Sequence, residues 1–167
     1  IRKVMVWGRS IEKAQSICDQ VQELGIQCIA IDDINAHIAE ADIISCATLS
    51  QTPLIFGEHL KPGQHLDMVG AYRPDMREMD DDCLIKGRIF VDNTETASRE
   101  TGDIAIPLAN GIIKPEDIEA DLFQLCKNKK SVTRNSSDIT VFKSVGHALE
   151  DLAAAKLVAK VVIESNS

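Results

Sequence analysis

Short apolar runs that alternate with amphipathic helical stretches restrict this chain to a narrow set of folds. Arg2-Lys3-Val4-Met5-Val6-Trp7 reads as a buried strand, and Gly8-Arg9-Ser10 hands it directly to a helix. In that helix Ile11, Ala14, Ile17, Cys18, Val21 and Leu24 recur at helical spacing, with Ser10 placed as the N-cap and Gly25 as the stop. Further strands are predicted over Gln27 to Ile31, Ile43 to Thr48, His65 to Val69, Arg88 to Asp92 and Ile139 to Phe142. Helices are predicted over Ile34 to Glu40, Arg77 to Ile85, Glu95 to Glu100, Pro115 to Cys126 and Gly146 to Val162. Turns fall at Lys61-Pro62-Gly63 and Gly102-Asp103, and Lys127 to Ser137 reads as a polar, basic loop. Continuous apolar strands separated by helices predict an α/β fold, a Rossmann-type doubly wound parallel sheet covered on both faces.

Composition narrows the function. The 167 residues are 44% hydrophobic and 26% charged, an ordinary globular balance, and the net charge of -8 lacks the clustered cations that a nucleic-acid surface needs. Lys127 to Arg134 is the one basic cluster, and Asp80-Asp81-Asp82 reads as a helix start. The five cysteines sit mostly in apolar runs without a C-x-x-C pair, so they are expected to be reduced core residues of a cytoplasmic protein. The histidines are scattered, and no metal site is expected. The most apolar segment, Val145 to Ile163, carries Glu150, Asp151, Lys156 and Lys160, which argues against a membrane span.

In an open α/β sheet, ligands bind outside the carboxyl ends of the strands. Where a second Rossmann strand ends, an acidic residue holds the ribose hydroxyl of NAD or an Arg accommodates the 2′-phosphate of NADP. Here the residue is Arg9, read either as a 2′-phosphate clamp with Lys13 nearby or as a solvated helix-start cation. Thr48 and Ser50 offer hydroxyls to a cofactor or to their own strand-end turn. Tyr72 either orients a substrate or walls the pocket, and Lys143 and Ser144 before Gly146 either touch the cofactor or lie on the surface. The nine glycines nowhere form G-x-G-x-x-G, so the chain is expected to be a cofactor domain without its first strand and phosphate loop.

Several segments, in order, resemble the ornithine cyclodeaminase and mu-crystallin family. They are Val6-Trp7-Gly8-Arg9-Ser10, Ala41-Asp42-Ile43 through Ala47-Thr48, Leu60-Lys61-Pro62-Gly63, Val69-Gly70-Ala71 with Arg73-Pro74-Asp75 and Arg77-Glu78, Gly102-Asp103, and Thr140 to Gly146 with Ala148 to Ala155. The resemblance implies a homodimeric dinucleotide-binding protein with a separate dimerisation and substrate domain. Residues 1–144 would be the cofactor domain, N-terminally incomplete, and 145–167 a helix returning to that other domain. Cyclodeaminases of the family carry Asp where this chain has Tyr72, which turns the reading from ornithine cyclisation toward NADPH-dependent reduction of cyclic imino acids, with NADH as the other reductant. The expected substrates are Δ1-pyrroline-2-carboxylate and Δ1-piperideine-2-carboxylate, giving L-proline and L-pipecolate. The alternatives are an ornithine cyclodeaminase and a non-catalytic NADPH-dependent binding protein of the mu-crystallin type. Implied cofactor contacts are Arg9, Ser10, Lys13, Ala47, Thr48, Leu49, Val69, Lys143 and Ser144. Tyr72 is the one candidate for substrate contact, with the main catalytic residues expected upstream of Ile1.

Overall fold

The computed structural model describes residues 1–127 and 132–165. It divides into two compact units, Ile1–Ala41 and Asp42–Ser167. In the first, β1 (Lys3–Trp7) and β2 (Gln27–Ile31) pair in parallel, with Lys3 opposite Gln27 and Trp7 opposite Ile31. Parallel neighbours need a crossover, supplied here by α1 (Ile11–Glu23). Ser10 caps α1 by accepting from the Lys13 N–H at 3.3 Å, and the chain leaves it through Gly25 at φ +77°, where glycine carries no steric penalty. Ala14 and Cys18, one helical turn apart, are the buried residues of α1. Asp33 caps the short α2 (Ile34–His37), which runs on into one 3-10 turn over Ile38–Glu40.

The second unit is built on a five-stranded parallel sheet in the order β3-β4-β7-β5-β6. The strands are β3 (Ile43–Cys46), β4 (His65–Met68), β5 (Gly87–Val91), β6 (Ile118–Asp121) and β7 (Ile139–Lys143). The last strand in sequence thus lies in the middle, and Leu66, Met68, Ile89, Val91 and Val141 form a core at 2% exposure or less. Between strands run α3 (Asp81–Lys86), α4 (Thr94–Glu100), α5 (Gly102–Ala109) and α6 (Leu122–Cys126); α7 (Ala148–Ser165) follows the sheet. Every residue of α7 is exposed, Leu149, Leu152, Leu157, Val161 and Ile163 among them.

Three segments differ from the sequence expectation. Pro115 to Cys126 is not one helix but a 3-10 turn, the strand β6 and the helix α6, because Ile118 and Ala120 alternate into the interior beside β5. Gly102-Asp103 is not a turn but the first residues of α5, which Thr101 caps. The helix expected from Arg77 starts only at Asp81. Residues 77–80 instead run alongside the segment after β3: Arg77 N–H donates to Ser50 O, Leu54 and Ile55 N–H to Glu78 O, and Asp80 N–H to Ile55 O. Asp80 then caps α3, as the acidic run predicts. Of the basic loop expected over Lys127 to Ser137, residues 128–131 lie outside the described residues.

Candidate functional site

Because β3, β4, β7 and β5 are consecutive parallel neighbours, their carboxyl ends share one edge. That edge gathers Ala47, Thr48 and Leu49 after β3, Val69 to Tyr72 after β4, Asp92 after β5 and Ser144 to Gly146 after β7. Chain ends at such an edge have backbone donors with no sheet partner, and burying them requires acceptors. Two buried carboxylates, Glu78 and Asp92, supply these, and a third, Asp103, holds the backbone of Glu78.

Glu78 is fully buried and accepts from the backbone N–H groups of Thr48, of Gly70 at 2.8 Å and of Ala71 at 3.2 Å. One carboxylate therefore ties the loop after β3 to the loop after β4. A side chain at position 70 has no room, since a Cβ there would lie 2.1 Å from the Thr48 nitrogen and 2.3 Å from Glu78 Oε1. Asp92 does the same for the far side: its Oδ2 accepts from Ser144 Oγ at 2.9 Å and from the Val145 and Gly146 N–H groups, both at 2.8 Å. Asp103, fully buried, accepts the Glu78 N–H at 2.9 Å and the Met79 N–H at 3.2 Å through Oδ1. Its other oxygen faces Lys143 Nζ at 3.5 Å, and Lys143 also donates to Met68 O at 3.0 Å.

The electrostatics follow from burial. Desolvation raises the Asp103 carboxyl above its ordinary range against the opposing pull of Lys143, and it lowers the Lys143 ammonium against the pull of Asp103. Burial also pushes the Cys46 thiol at the end of β3 up to about 12, so it stays protonated at neutral pH and offers no thiolate nucleophile. On the open side of the edge stand Leu49, Val69 and Tyr72, at 68%, 43% and 51% exposure. Buried carboxylates thus fix the backbone while an apolar, partly aromatic lip faces outward, an arrangement suited to a flat ligand lying across strand ends.

Of the residues singled out in the sequence, Thr48, Val69, Tyr72, Lys143 and Ser144 meet at this edge. Thr48 and Ser50 use their hydroxyls locally, Thr48 Oγ1 accepting the Ser50 N–H at 3.2 Å and Ser50 Oγ donating to Thr52 O at 2.6 Å. Lys143 lies beneath the edge with its ammonium enclosed, and Ser144 spends its hydroxyl proton on Asp92. Arg9, Ser10 and Lys13 belong to the first unit, at the corner from β1 to α1. There Arg9 is exposed and makes no ion pair with another described residue, while Ser10 Oγ donates to Glu12 at 2.6 Å. Sequence reasoning assigned no role to Glu78 or Asp103; the available signal was a carboxylate framed by apolar residues, Met76 and Met79 around Glu78 and Ile104 beside Asp103. Among the described residues no group of three or more His, Cys, Asp or Glu side chains is placed to hold a metal ion.

A family model for ornithine cyclodeaminase and mu-crystallin matches residues 1–166. The chain belongs to the ornithine cyclodeaminase/mu-crystallin family. Among similar relatives, Protein SAR DEFICIENT 4 of Arabidopsis thaliana is 43% identical over 162 residues, which cover 95% of this chain and 50% of that protein. A Δ1-pyrroline-2-carboxylate reductase of Paracoccus denitrificans is 35% identical over 162 residues, covering 97% of this chain and 51% of the relative. A solved Δ1-pyrroline-2-carboxylate reductase of Thermococcus litoralis, in complex with NADH and L-proline, superposes with a TM-score of 0.94 at 31% identity over 99% of this chain and 52% of its own. The chain therefore spans about half the length of these family members.

Proposed function

We propose that this chain is the dinucleotide-holding part of an NADPH-dependent reductase that converts Δ1-pyrroline-2-carboxylate to L-proline, with Δ1-piperideine-2-carboxylate as its six-membered counterpart giving L-pipecolate. The observation that carries the reading is the strand-end edge, laid out on a backbone that follows the Thermococcus reductase at a TM-score of 0.94. The edge fits a dinucleotide: its backbone is held from below by Glu78 and Asp92, with Asp103 holding Glu78 in turn, and the half-exposed Val69 and Tyr72 offer an apolar face on which an aromatic ring can lie. When bound, NADPH supplies the hydride that reaches the C2 carbon of the protonated C=N bond.

The chain's own contribution is positioning. Arg9, Ser10 and Lys13 receive the 2′-phosphate, for which guanidinium offers two parallel donors. Ala47, Thr48 and Leu49 run along the cofactor, Val69 and Tyr72 stand beside the reacting ring, and Ser144 with the buried Lys143 closes the far end. Such alignment is worth several powers of ten in rate when the reacting atoms are held in contact. A carboxylate-binding cation and a proton source belong to the other half of the protein's length. There too lies the surface that receives α7, whose apolar residues Leu149, Leu152, Leu157 and Val161 are exposed here. We place residues 1–144 in the cofactor domain and 145–167 in the connection to its partner domain, in a cytoplasmic homodimer.

The test is turnover by the complete protein. Oxidation of NADPH with matching formation of L-proline from Δ1-pyrroline-2-carboxylate supports the reading. Ammonia release from ornithine without net NADPH oxidation would replace it with cyclodeamination, and tight NADPH-dependent ligand binding without turnover would replace it with a binding protein.

A further inference from the structure

We propose that Cys18 and Cys28 form a redox-modification site, a dithiol buried in the first unit that closes to an intramolecular disulfide and clamps α1 onto β2. The two residues come from different elements, Cys18 from the inward face of α1 and Cys28 from the β2 position opposite Val4. Their side chains meet nonetheless. Cys28 Sγ approaches Cys18 Sγ to 2.6 Å, inside ordinary sulfur contact, and the residues are 2% and 0% exposed. The backbone thus delivers both sulfurs to one point, so bond formation needs a side-chain adjustment and not a rearrangement of strand or helix.

The surroundings explain why the pair persists as thiols and yet is poised to react. Burial, together with the hydrogen bond to Cys18, pushes the Cys28 thiol up to about 11, so Cys28 is not a ready thiolate while the unit stays closed. The unit is small, however, and its buried apolar side chains are Ala14, Cys18, Cys28, Ile31 and Ile38. Small cores open locally at modest cost, and opening exposes both thiols together. In the reaction two S–H bonds break and one S–S bond forms. Two electrons and two protons pass to a disulfide oxidant, which is reduced to two thiols. The product joins positions ten residues apart, across the β1–α1–β2 unit that carries Arg9 and Ser10. Cys46 and Cys83 are buried in the other unit, and Cys126 is exposed.

The experiment uses the full chain with Cys126→Ser, which removes the exposed thiol, and glutathione disulfide as the oxidant probe. Cleavage after Glu23 separates the two cysteines, so a bond between them keeps the two peptides together. The expected result is loss of the mass of two hydrogens, a Cys18–Cys28 linked peptide pair that reductant releases, and free Cys46 and Cys83 once the chain is unfolded. Proteolysis within the first unit should slow at least about tenfold on oxidation, and the oxidant should leave that rate unchanged when Cys28→Ser is added. Recovery of Cys18 and Cys28 as separate alkylated peptides, or as mixed disulfides with glutathione, would overturn the proposal without requiring the Cys28→Ser variant to fold.

Discussion

Lys143 and Asp103 face each other in the interior, Nζ to Oδ2 at 3.5 Å, with neither side chain reaching solvent. One comes from the end of β7 and the other from the first turn of α5, and Asp103 in turn holds the N–H of Glu78. The ion pair therefore lies beneath the ends of β4 and β7, next to Glu78.

Removing one partner leaves the other charged in a dry site. Lys143→Met and Asp103→Asn should each lower the unfolding free energy by about 3–5 kcal/mol, as expected when a buried pair is broken. The double variant should lose about 1 kcal/mol or more less than the sum of the two. Urea unfolding of the four proteins checks this, and strict additivity would show that the pair is not coupled.

Glu78 leads to a second expectation. Glu78→Ala leaves three backbone donors, one buried and two part-buried, without their acceptor and should cost about 3 kcal/mol, and Gly70→Ala, which forces a Cβ against the Thr48 backbone, should cost about as much by overpacking. Because both act on one junction, hydrogen exchange should quicken at Thr48 and Ala71 in each variant and stay unchanged at Lys3 to Trp7. Exchange that quickens equally everywhere would contradict a local anchoring role.

Acidification should act through His65. Burial lowers its pKa below the ordinary 6.5, partly offset by Asp67, while its Nδ1 lies 2.8 Å from Thr140 Oγ1. A depressed folded pKa means that the contribution to stability is present above 6.5 and is lost as pH falls through the folded value. Proton NMR of the His65 ring should give a midpoint below 6.5, and stability measured across that range should fall less steeply in His65→Gln. A ring midpoint above 6.5 would reverse the sign.

Arg9 decides the choice of reductant under the proposed function. Arg9→Asp should move the ratio of kcat/KM for NADPH over NADH by at least about tenfold toward NADH, or ~1.4 kcal/mol. An unchanged ratio would remove the 2′-phosphate role from this corner.

The β1–α1 corner, the sheet-end residues and the helix start at Asp80 were legible because each rests on local chemistry: an apolar run, a capping side chain, a glycine at positive φ. β6 was hidden for the same reason. Its four residues Ile118–Asp121 follow Pro115 and two acidic residues, which together read as a helix start, and only pairing with β5 makes them extended. Glu78 was hidden more deeply. Its donors lie thirty, eight and seven residues away, so the flanking methionines signal burial but not that its carboxylate organises two loops. Lys143 was legible as a sheet-end cation, but its enclosure depends on α5 bringing Asp103 against it.

The most direct test of the account follows the hydrogen itself. The complete protein would be supplied with Δ1-pyrroline-2-carboxylate and with NADPH deuterated at its transferable nicotinamide hydrogen, and the proline formed would be examined by mass spectrometry and NMR. The account predicts one deuterium per proline, located at C2. Δ1-Pyrroline-2-carboxylate left unreduced, or proline without deuterium at C2, would contradict it.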